Sequence, residues 1–385
     1  MKKTYSLIIF LVLMSFIFSS CRSSSSNNSE PLTVFVTSVS GHGNLSQWPD
    51  ALAVSATGVT AGDAVCQARA TAAGLSGKFV AWLSDSTTDA YCHVQGFTGT
   101  ISGTNPNCGQ AALPVAAGPW VRTDGYPFAN TIDKLINNGQ VYAPVRYDET
   151  GTLVANFFYF TGTASSGATT ANTCSDWTDS TNSSNTTFGA SDGTTDFWTS
   201  YGDTGCSVTD HLLCFQTGTG GALSGPTRPA SAKRVFVTSL TYKGGDLGSV
   251  GGGDLICQTL AAAASIPNAA NFRAWLSDGF NNAKDRLTTS PGGPWYRLDG
   301  VKIAHDKTAL AIVPLFTAIT RDETGAYNSN SVWTGTDPTG SKTADHCVNW
   351  TSSSGGDHGT SGIETESNSG WTTWSNVACN GNAAL

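Results

Sequence analysis

The sequence predicts an α+β fold in which two homologous domains follow one another, each stapled by disulfide bonds. The phrase FVAWLSDS at 79–86 recurs as FRAWLSDG at 272–279, each time shortly after a single cysteine, Cys66 or Cys257. Other matched positions continue along the chain in the same order, and the offset between them decreases overall from 201 to 173. A repeat of this length is explained most simply by two copies of one domain.

The same matched positions define the domain boundaries. We expect the first domain at 33–215, a linker at 216–233 and the second domain at 234–385. The linker is rich in Gly, Ser, Pro and Thr, which cannot build a hydrophobic core. Each domain then has fewer than two hundred residues, a size that one core can support.

The N-terminus has the form of an export signal. Residues 1–20 contain two lysines, an apolar run and small residues before Cys21. The apolar run, Leu7–Phe18, is shorter than the roughly twenty residues that a membrane-spanning helix needs. The ending FSSC resembles a bacterial lipobox, which implies cleavage before Cys21 and acylation of its sulfur. Residues 21–32 then form a polar tether.

Export and composition narrow the functional classes. Cysteines of an exported chain are expected to form disulfides before they serve as catalytic or metal-binding thiols. Charged residues make up 12% of the chain and the formal net charge is −8, which argues against nucleic acid as a partner. The sequence has no legible nucleophile–base set and no paired-carboxylate motif, so we expect no enzymatic activity.

Local patterns predict the elements of each domain in order. LTVFVTS and RVFVTS have the β-branched and aromatic alternation of an opening strand. The alanine-rich segments 61–77 and 252–268 predict helices, with Asp63 and Asp254 near their starts as caps. KFVAWLSD and FRAWLSD are expected to form strands against those helices. The two DETG sequences, at 148–151 and 322–325, predict tight turns rather than metal sites.

Several of these motifs together resemble a known family. The helix cysteine, the AWLSD phrase, SVWTGTDPTGSKTADHCVNW (331–350) and the cysteine pair of CSVTDHLLC (206–214) resemble endostatin, a collagen module with a C-type-lectin-like fold. On a chain with a lipobox, the pattern is similar to the leptospiral endostatin-like surface lipoproteins, and the resemblance spans nearly all of 33–385. It implies a lipid-anchored protein of the bacterial outer membrane that faces the host. It further implies adhesin-like binding to laminin, fibronectin, plasminogen or factor H.

The resemblance also implies a cysteine pairing. In the endostatin fold the helix cysteine bonds the last strand and two intervening cysteines bond each other. Cys92 and Cys108 lie in an insertion that lengthens the first domain by 18 residues, so we expect them to bond each other. A partner for Cys257 would fall at position 387, so we expect an unpaired Cys257 and a sequence truncated within its last strand. The expected pairs are Cys66–Cys214, Cys174–Cys206, Cys92–Cys108 and Cys347–Cys379.

Calcium-dependent sugar binding is a second interpretation, and a purely structural envelope protein is a third. Sugar-binding C-type lectins use a Pro-containing acidic triplet and a Trp-x-Asn stretch, because calcium needs several hard oxygen ligands. TDP (336–338) and WSN (374–376) match in part, which makes Asp337 and Asn376 calcium candidates; no other cofactor is expected.

Tryptophans in the loop half of each domain are candidate ligand contacts, because aromatic residues are enriched at interface hot spots. The alternative for each of them is a place in the core. The candidates are Trp177, Trp198, Trp350, Trp371 and Trp374.

Overall fold

The computed structural model describes residues 30–137, 140–154, 157–224, 227–287, 292–311 and 314–385. Within these ranges the protein is a mixed α+β structure with several sheets and four disulfides. The predicted signal peptide and Cys21 lie outside the described residues. We call 32–216 the first repeat and 233–385 the second repeat, so that each includes its first and last strand.

The first repeat opens with the predicted strand and continues with mostly short elements. Its described strands are β1 (Leu32–Val36), β2 (Phe79–Ala81), β3 (Trp120–Arg122), β4 (Pro127–Ala129), β5 (Phe158–Phe160), β6 (Asn185–Ala190), β7 (Gly202–Gly205) and β8 (His211–Gln216). Its helices are α1 (Pro49–Leu52), α2 (Gly58–Ala72), α3 (Ala90–His93), α4 (Ile132–Asn137) and α5 (Cys174–Trp177), with 3₁₀ turns at Leu45–Gln47 and Asn107–Gly109.

One sheet organises the first repeat, in the order β4-β3-β1-β8-β5-β6-β7, with β2 also paired to β8. β1 runs parallel to β3 and antiparallel to β8. Side chains alternate across the sheet because successive residues of a strand point to opposite faces. Val34 and Val36 of β1 therefore join one buried cluster, and Phe35 joins the other.

The second repeat has a similar order of elements, but α1 and β2 have no counterpart among its described elements. Its described strands are β9 (Lys233–Val235), β10 (Tyr242–Lys243), β11 (Trp295–Arg297), β12 (Lys302–Ala304), β13 (Ser331–Trp333), β14 (His358–Ile363), β15 (Ser375–Ala378) and β16 (Asn382–Ala383). Its helices are α6 (Val250–Ala263), α7 (Ala283–Arg286), α8 (Lys307–Leu310) and α9 (Cys347–Trp350), with 3₁₀ turns at Gly244–Leu247, Ala269–Asn271 and Ser369–Trp371.

The strand predicted at FRAWLSD is wrong. In the first repeat, Phe79–Ala81 forms a strand because β8 pairs with it, with Ala81 opposite Cys214. No described strand lies beside 272–278, and those residues form no ladder. In the first repeat β8 joins β1 to β5, and no described strand of the second repeat makes the matching connection. The described part of the second repeat therefore has two three-stranded sheets, β12-β11-β9 and β13-β14-β15, and a two-stranded sheet, β10-β16.

The predicted roles of Asp63 and Asp254 as helix caps are also wrong. α2 begins at Gly58 and α6 at Val250, so both aspartates lie inside their helices. Each carboxylate instead accepts a backbone N–H from the segment that follows its helix, at 2.9 Å from Ala81 for Asp63 and 2.9 Å from Ala274 for Asp254. Each aspartate therefore links its helix to the chain segment that follows that helix.

The DETG sequences form the predicted turns. Asp148 accepts the backbone N–H groups of Thr150 and Thr152, each at 2.9 Å, and Asp322 repeats this pattern in the second repeat. The glutamate of each turn accepts the backbone N–H of a serine just after the opening strand, as Glu149 does from Ser38 at 2.9 Å. Each turn therefore anchors the opening strand.

All four expected disulfides are present, which confirms that the protein is disulfide-stapled. Cys66–Cys214 closes 148 residues, Cys92–Cys108 closes 16, and Cys174–Cys206 and Cys347–Cys379 each close 32. Cys257 is a free thiol and is buried. Within the described residues, no helix is both long and apolar enough to cross a membrane.

Polar loops form part of the contact between the two repeats, beside a stacked pair of rings, Tyr126 and Phe316. Thr194 Oγ1 donates a hydrogen bond to the carbonyl of Thr365 at 2.8 Å, and Ser367 Oγ donates to the carbonyl of Asp192 at 3.0 Å. Next to these bonds, Gly193 and Glu366 form an isolated antiparallel bridge. The loop after β6 is therefore paired with the loop after β14.

Candidate functional site

Each repeat contains one turn of left-handed backbone that starts at its inner cysteine. The φ angles of Cys347, Val348, Asn349 and Trp350 are 47°, 52°, 56° and 65°, and α5 of the first repeat has the same form. Left-handed backbone costs roughly 1–2 kcal/mol per non-glycine residue, and a β-branched residue such as Val348 is rare there. Such a turn persists only where its surroundings fix it, and strained backbone of this kind is often functional.

Contacts on three sides hold the second-repeat turn. Cys347 is bonded to Cys379, and the fully buried Trp350 donates its indole N–H to the carbonyl of Ser277 at 2.8 Å. The backbone N–H of Asn349 donates to His346 Nδ1 at 3.0 Å. The turn is therefore fixed by a covalent bond and by a buried side chain.

A neighbouring loop, 278–281, is pinned to this turn. The backbone N–H of Gly279 donates to Asn349 Oδ1 at 2.8 Å. Within the loop, Asp278 Oδ1 accepts the N–H groups of Phe280 at 2.9 Å and Asn281 at 2.7 Å. The two chain segments thus present one continuous edge of the second repeat.

Two apolar side chains project from that edge. Phe280 is 82% exposed and Val348 is 54% exposed, and each is next in sequence to one of the two residues joined by the Gly279–Asn349 hydrogen bond. We call this pair the apolar edge. At the matching positions of the first repeat stand the exposed polar residues Thr87 and Ser175, so only the second repeat carries this surface.

Lysines lie beside the apolar edge. Lys342 Nζ donates to the carbonyl of Gly279, and Lys284 Nζ donates to Ser341 Oγ at 2.9 Å. An exposed apolar centre with a polar or charged rim is the usual anatomy of a protein–protein contact surface.

Sequence reasoning missed Phe280 and Val348. A signal for them was present, because the two repeats match at these positions while their residue types change from polar to apolar. A search of the aligned repeats for positions that differ in residue type would have found the apolar edge. The search for motifs that the repeats share could not find it.

Four of the five predicted ligand tryptophans are not on a surface. Their exposed fractions are 0% for Trp177 and Trp350, 1% for Trp198 and 6% for Trp371. They pack in the cores of the repeats, because an indole ring gains most free energy by burying its large apolar area. Trp177, Trp198 and Trp350 therefore form no exposed contact surface, whereas Trp371 lines a cavity of the second repeat and Trp374 is 46% exposed.

The two calcium candidates have separate partners. Asp337 Oδ1 accepts the N–H groups of Thr339 and Ser341, each at 2.9 Å, and so closes its own turn. Asn376 donates its amide to Asp345 Oδ2 at 2.6 Å. Among the described residues, no group of three or more His, Cys, Asp or Glu side chains could hold a metal ion.

The chain matches none of the protein-family models compared with it, and no curated protein matches it significantly.

Proposed function

We propose that this protein is a lipid-anchored surface protein of the bacterial outer membrane that binds host macromolecules and catalyses no reaction. The fold that we propose for each repeat is C-type-lectin-like, of the endostatin type. The cysteine pairing of the first repeat supports that proposal, because the helix cysteine bonds the last strand and Cys174 bonds Cys206. The single observation that carries the binding function is the apolar edge.

The chemistry of the edge favours a protein ligand. Phe280 offers an aromatic anchor, and Val348 sits on backbone that a disulfide and a buried tryptophan fix. A preorganised turn loses little conformational entropy on binding, so more of the contact energy appears as affinity. Lys284 and Lys342 beside the edge suit a partner with an acidic rim. We expect this partner among matrix proteins such as laminin or fibronectin, or plasma proteins such as plasminogen or factor H.

Exchange of the apolar edge for the matching residues of the first repeat is expected to abolish most of the binding. The double variant Phe280→Thr/Val348→Ser should bind its ligand at least about tenfold more weakly, since removing hot-spot side chains costs more than about 1.4 kcal/mol. Surface plasmon resonance of the folded chain against the four candidate proteins measures this.

Leu255→Ser is the matched control, because Leu255 is 63% exposed on α6 and lies outside the edge. An equal loss of affinity in the control, or unchanged affinity in the double variant, would contradict the proposed surface. Binding to glycans that a calcium chelator abolishes would instead favour the lectin interpretation, so each measurement is repeated with chelator.

The lipid anchor has a separate test. Wild-type protein expressed in a bacterium should partition into the detergent phase, and Cys21→Ala should move to the aqueous phase, because acyl chains on Cys21 are its means of attachment. Partition of both forms into water would refute the anchor without touching the binding proposal.

A further inference from the structure

Four aromatic side chains of the first repeat form a contiguous patch on its surface. Phe158 lies on β5, Phe188 lies on β6, and Phe197 and Tyr201 lie in the loop between β6 and β7. The ring centroids of Phe158 and Phe188 are 4.9 Å apart, and those of Phe197 and Tyr201 are 5.2 Å apart. The rings of Phe158 and Tyr201, at 5.6 Å, join the two pairs. We call these four residues the aromatic patch.

The aromatic patch is open to solvent although its side chains are mostly hydrocarbon. Phe158 is 41% exposed, and the other three rings are only partly buried. Aromatic rings that contact one another are ordinarily found in a core, because each ring gains free energy by burying its large apolar area. A cluster of such rings at the surface is instead typical of a contact surface, where the rings anchor a partner.

The second repeat does not carry this patch. A backbone hydrogen bond gives the matching positions: the N–H of Tyr201 donates to the carbonyl of Phe188 at 2.8 Å, and the N–H of Trp374 donates to the carbonyl of Ser361 at 2.7 Å. The second repeat has serine at both positions that match the strand phenylalanines, Ser331 and Ser361. Because the strands form with serine there, we infer that the phenylalanines are not required for the strand pairing.

The surroundings of the aromatic patch are acidic. From Tyr147 to Thr227 the sequence contains eight carboxylates and no lysine or arginine, and all four patch residues belong to this stretch. Asp196 is exposed and directly precedes a ring of the patch. Two further carboxyl groups lie within electrostatic range of the Tyr201 phenol, those of Asp192 and Glu366. The patch is therefore an aromatic surface with an acidic rim.

The protein itself leaves this acidic rim poorly neutralised. Partial burial raises the pKa of the Asp196 carboxyl, and no side chain in the described part of the chain donates a hydrogen bond to it. Arg146 lies within electrostatic range of Asp192, yet its guanidinium is buried and donates to the carbonyls of Leu315 and Phe316. A partly desolvated carboxylate without a partner gains most from a cation that arrives with a ligand.

We propose that the aromatic patch is a second binding surface and that its partner is an arginine-rich, basic segment of another polypeptide. Guanidinium groups of the segment lie over the rings of Phe158 and Phe188, and the carboxylates of the rim pair with its remaining cations. Arginine suits this surface better than lysine, because its planar guanidinium stacks on aromatic faces and is less strongly hydrated. The acidic rim also speeds the encounter with a basic segment.

This surface goes beyond the apolar edge, which lies on the second repeat and has lysines beside it. The two surfaces therefore suit partners of opposite charge. Other occupants fit the aromatic patch less well. A neutral sugar stacks on aromatic rings but gains nothing from the carboxylates, and a nucleic acid is repelled by them. A phosphatidylcholine headgroup offers a cation, but its phosphate faces the same carboxylates.

The test uses the full chain with Cys21→Ala and two synthetic peptides, five repeats of Gly-Arg and five repeats of Gly-Glu, in isothermal titration calorimetry. We expect the arginine peptide to bind and the glutamate peptide not to bind. The double variant Phe158→Ser/Phe188→Ser, which introduces the residues of the second repeat, should bind the arginine peptide at least about tenfold more weakly. Its net charge is unchanged, so general attraction to an acidic protein is the same in both forms.

Phe158→Leu/Phe188→Leu keeps apolar side chains at both positions but removes the ring faces, so it should also weaken binding. This variant keeps the test decisive if the serines destabilise the repeat. The matched control is Phe280→Thr/Val348→Ser, which removes the apolar edge and should bind the arginine peptide as the wild type does.

Unchanged affinity in the serine or leucine variant, or equal binding of the glutamate peptide, would overturn the proposal. Binding to phosphatidylcholine vesicles that the serine variant loses, with no binding of the arginine peptide, would assign the surface to a membrane instead. None of these outcomes alters the binding of host proteins at the apolar edge, which is measured separately.

Discussion

Replacement of both Cys66 and Cys214 by alanine is expected to lower the free energy of unfolding of the first repeat by about 5 kcal/mol. This bond closes 148 residues, the longest loop among the four disulfides, and the entropy that a cross-link removes from the unfolded chain grows with loop length. Cys214 also lies on β8, which is hydrogen-bonded on both sides inside the sheet. Urea unfolding, with hydrogen-exchange mass spectrometry to resolve peptides of each repeat, measures the loss.

The pair Cys174→Ala/Cys206→Ala is the matched control. Its disulfide closes 32 residues in the same repeat, and all four cysteines are buried in the same cluster. The chain-entropy account predicts a loss smaller by roughly 1.4 kcal/mol for the control pair. If the control variant is as unstable as the Cys66/Cys214 variant or less stable, loop length does not set the stabilisation, and strain at the left-handed turn would be the better explanation.

The features that the sequence predicted well are those that recur at a distance along the chain. Matched cysteines and the paired DETG turns depend on residue types that few other structures tolerate, so their positions carry strong information. The opening strand of the first repeat was likewise predicted by its own alternation of side chains. These predictions needed no knowledge of which segments pack together.

The wrong predictions concern features that depend on tertiary contacts, which the local sequence does not specify. FRAWLSD has the pattern of a strand, but a strand exists only when a neighbour completes its ladder, and none of the described strands lies beside 272–278. Asp63 fits the pattern of a helix cap, yet α2 starts five residues earlier. The Asp63 carboxylate instead accepts a hydrogen bond from the backbone N–H of Ala81. Tertiary contacts therefore overrode local propensity at both places.

The same limit applies to the candidate site. Tryptophan is enriched both in interface hot spots and in cores, so composition alone could not separate Trp350 from an exposed anchor. The accessible anchor, Phe280, stands in a loop whose conformation depends on Asp278 and on the hydrogen bond from Gly279 to Asn349. Those contacts join positions about seventy residues apart, which periodicity and propensity cannot detect.

The contact between the repeats contains a carboxyl group that should make stability depend on pH. Glu366 is fully buried beside Asp192 of the first repeat. Burial raises the pKa of the Glu366 carboxyl to about 7 and the charge of Asp192 adds to this, while a hydrogen bond from Asn368 at 2.8 Å opposes it. Tyr201 of the first repeat also lies within electrostatic range. Two residues earlier, burial raises the pKa of the Glu364 carboxyl to about 8.

Stability is expected to fall as the pH rises from about 5 to about 8. Over this range the unfolded chain carries ionised Glu366, whose ordinary pKa is 4.5, while the folded protein still holds the proton. The folded state then binds more protons than the unfolded state, so raising the pH favours unfolding until the pH passes the folded-state pKa. The loss should be on the order of 3 kcal/mol at most for Glu366, with a further contribution from Glu364.

Differential scanning calorimetry at a series of pH values measures this loss of stability. Glu366→Gln, which cannot ionise, should roughly halve the decline below pH 7 and leave the decline between pH 7 and 8, because Glu364 also contributes over both ranges. Glu364→Gln should roughly halve the decline below pH 7 and remove the part between pH 7 and 8. A transition temperature that rises from pH 5 to pH 8, or a decline that Glu366→Gln does not alter, would show that this carboxyl is ionised in the folded protein at neutral pH.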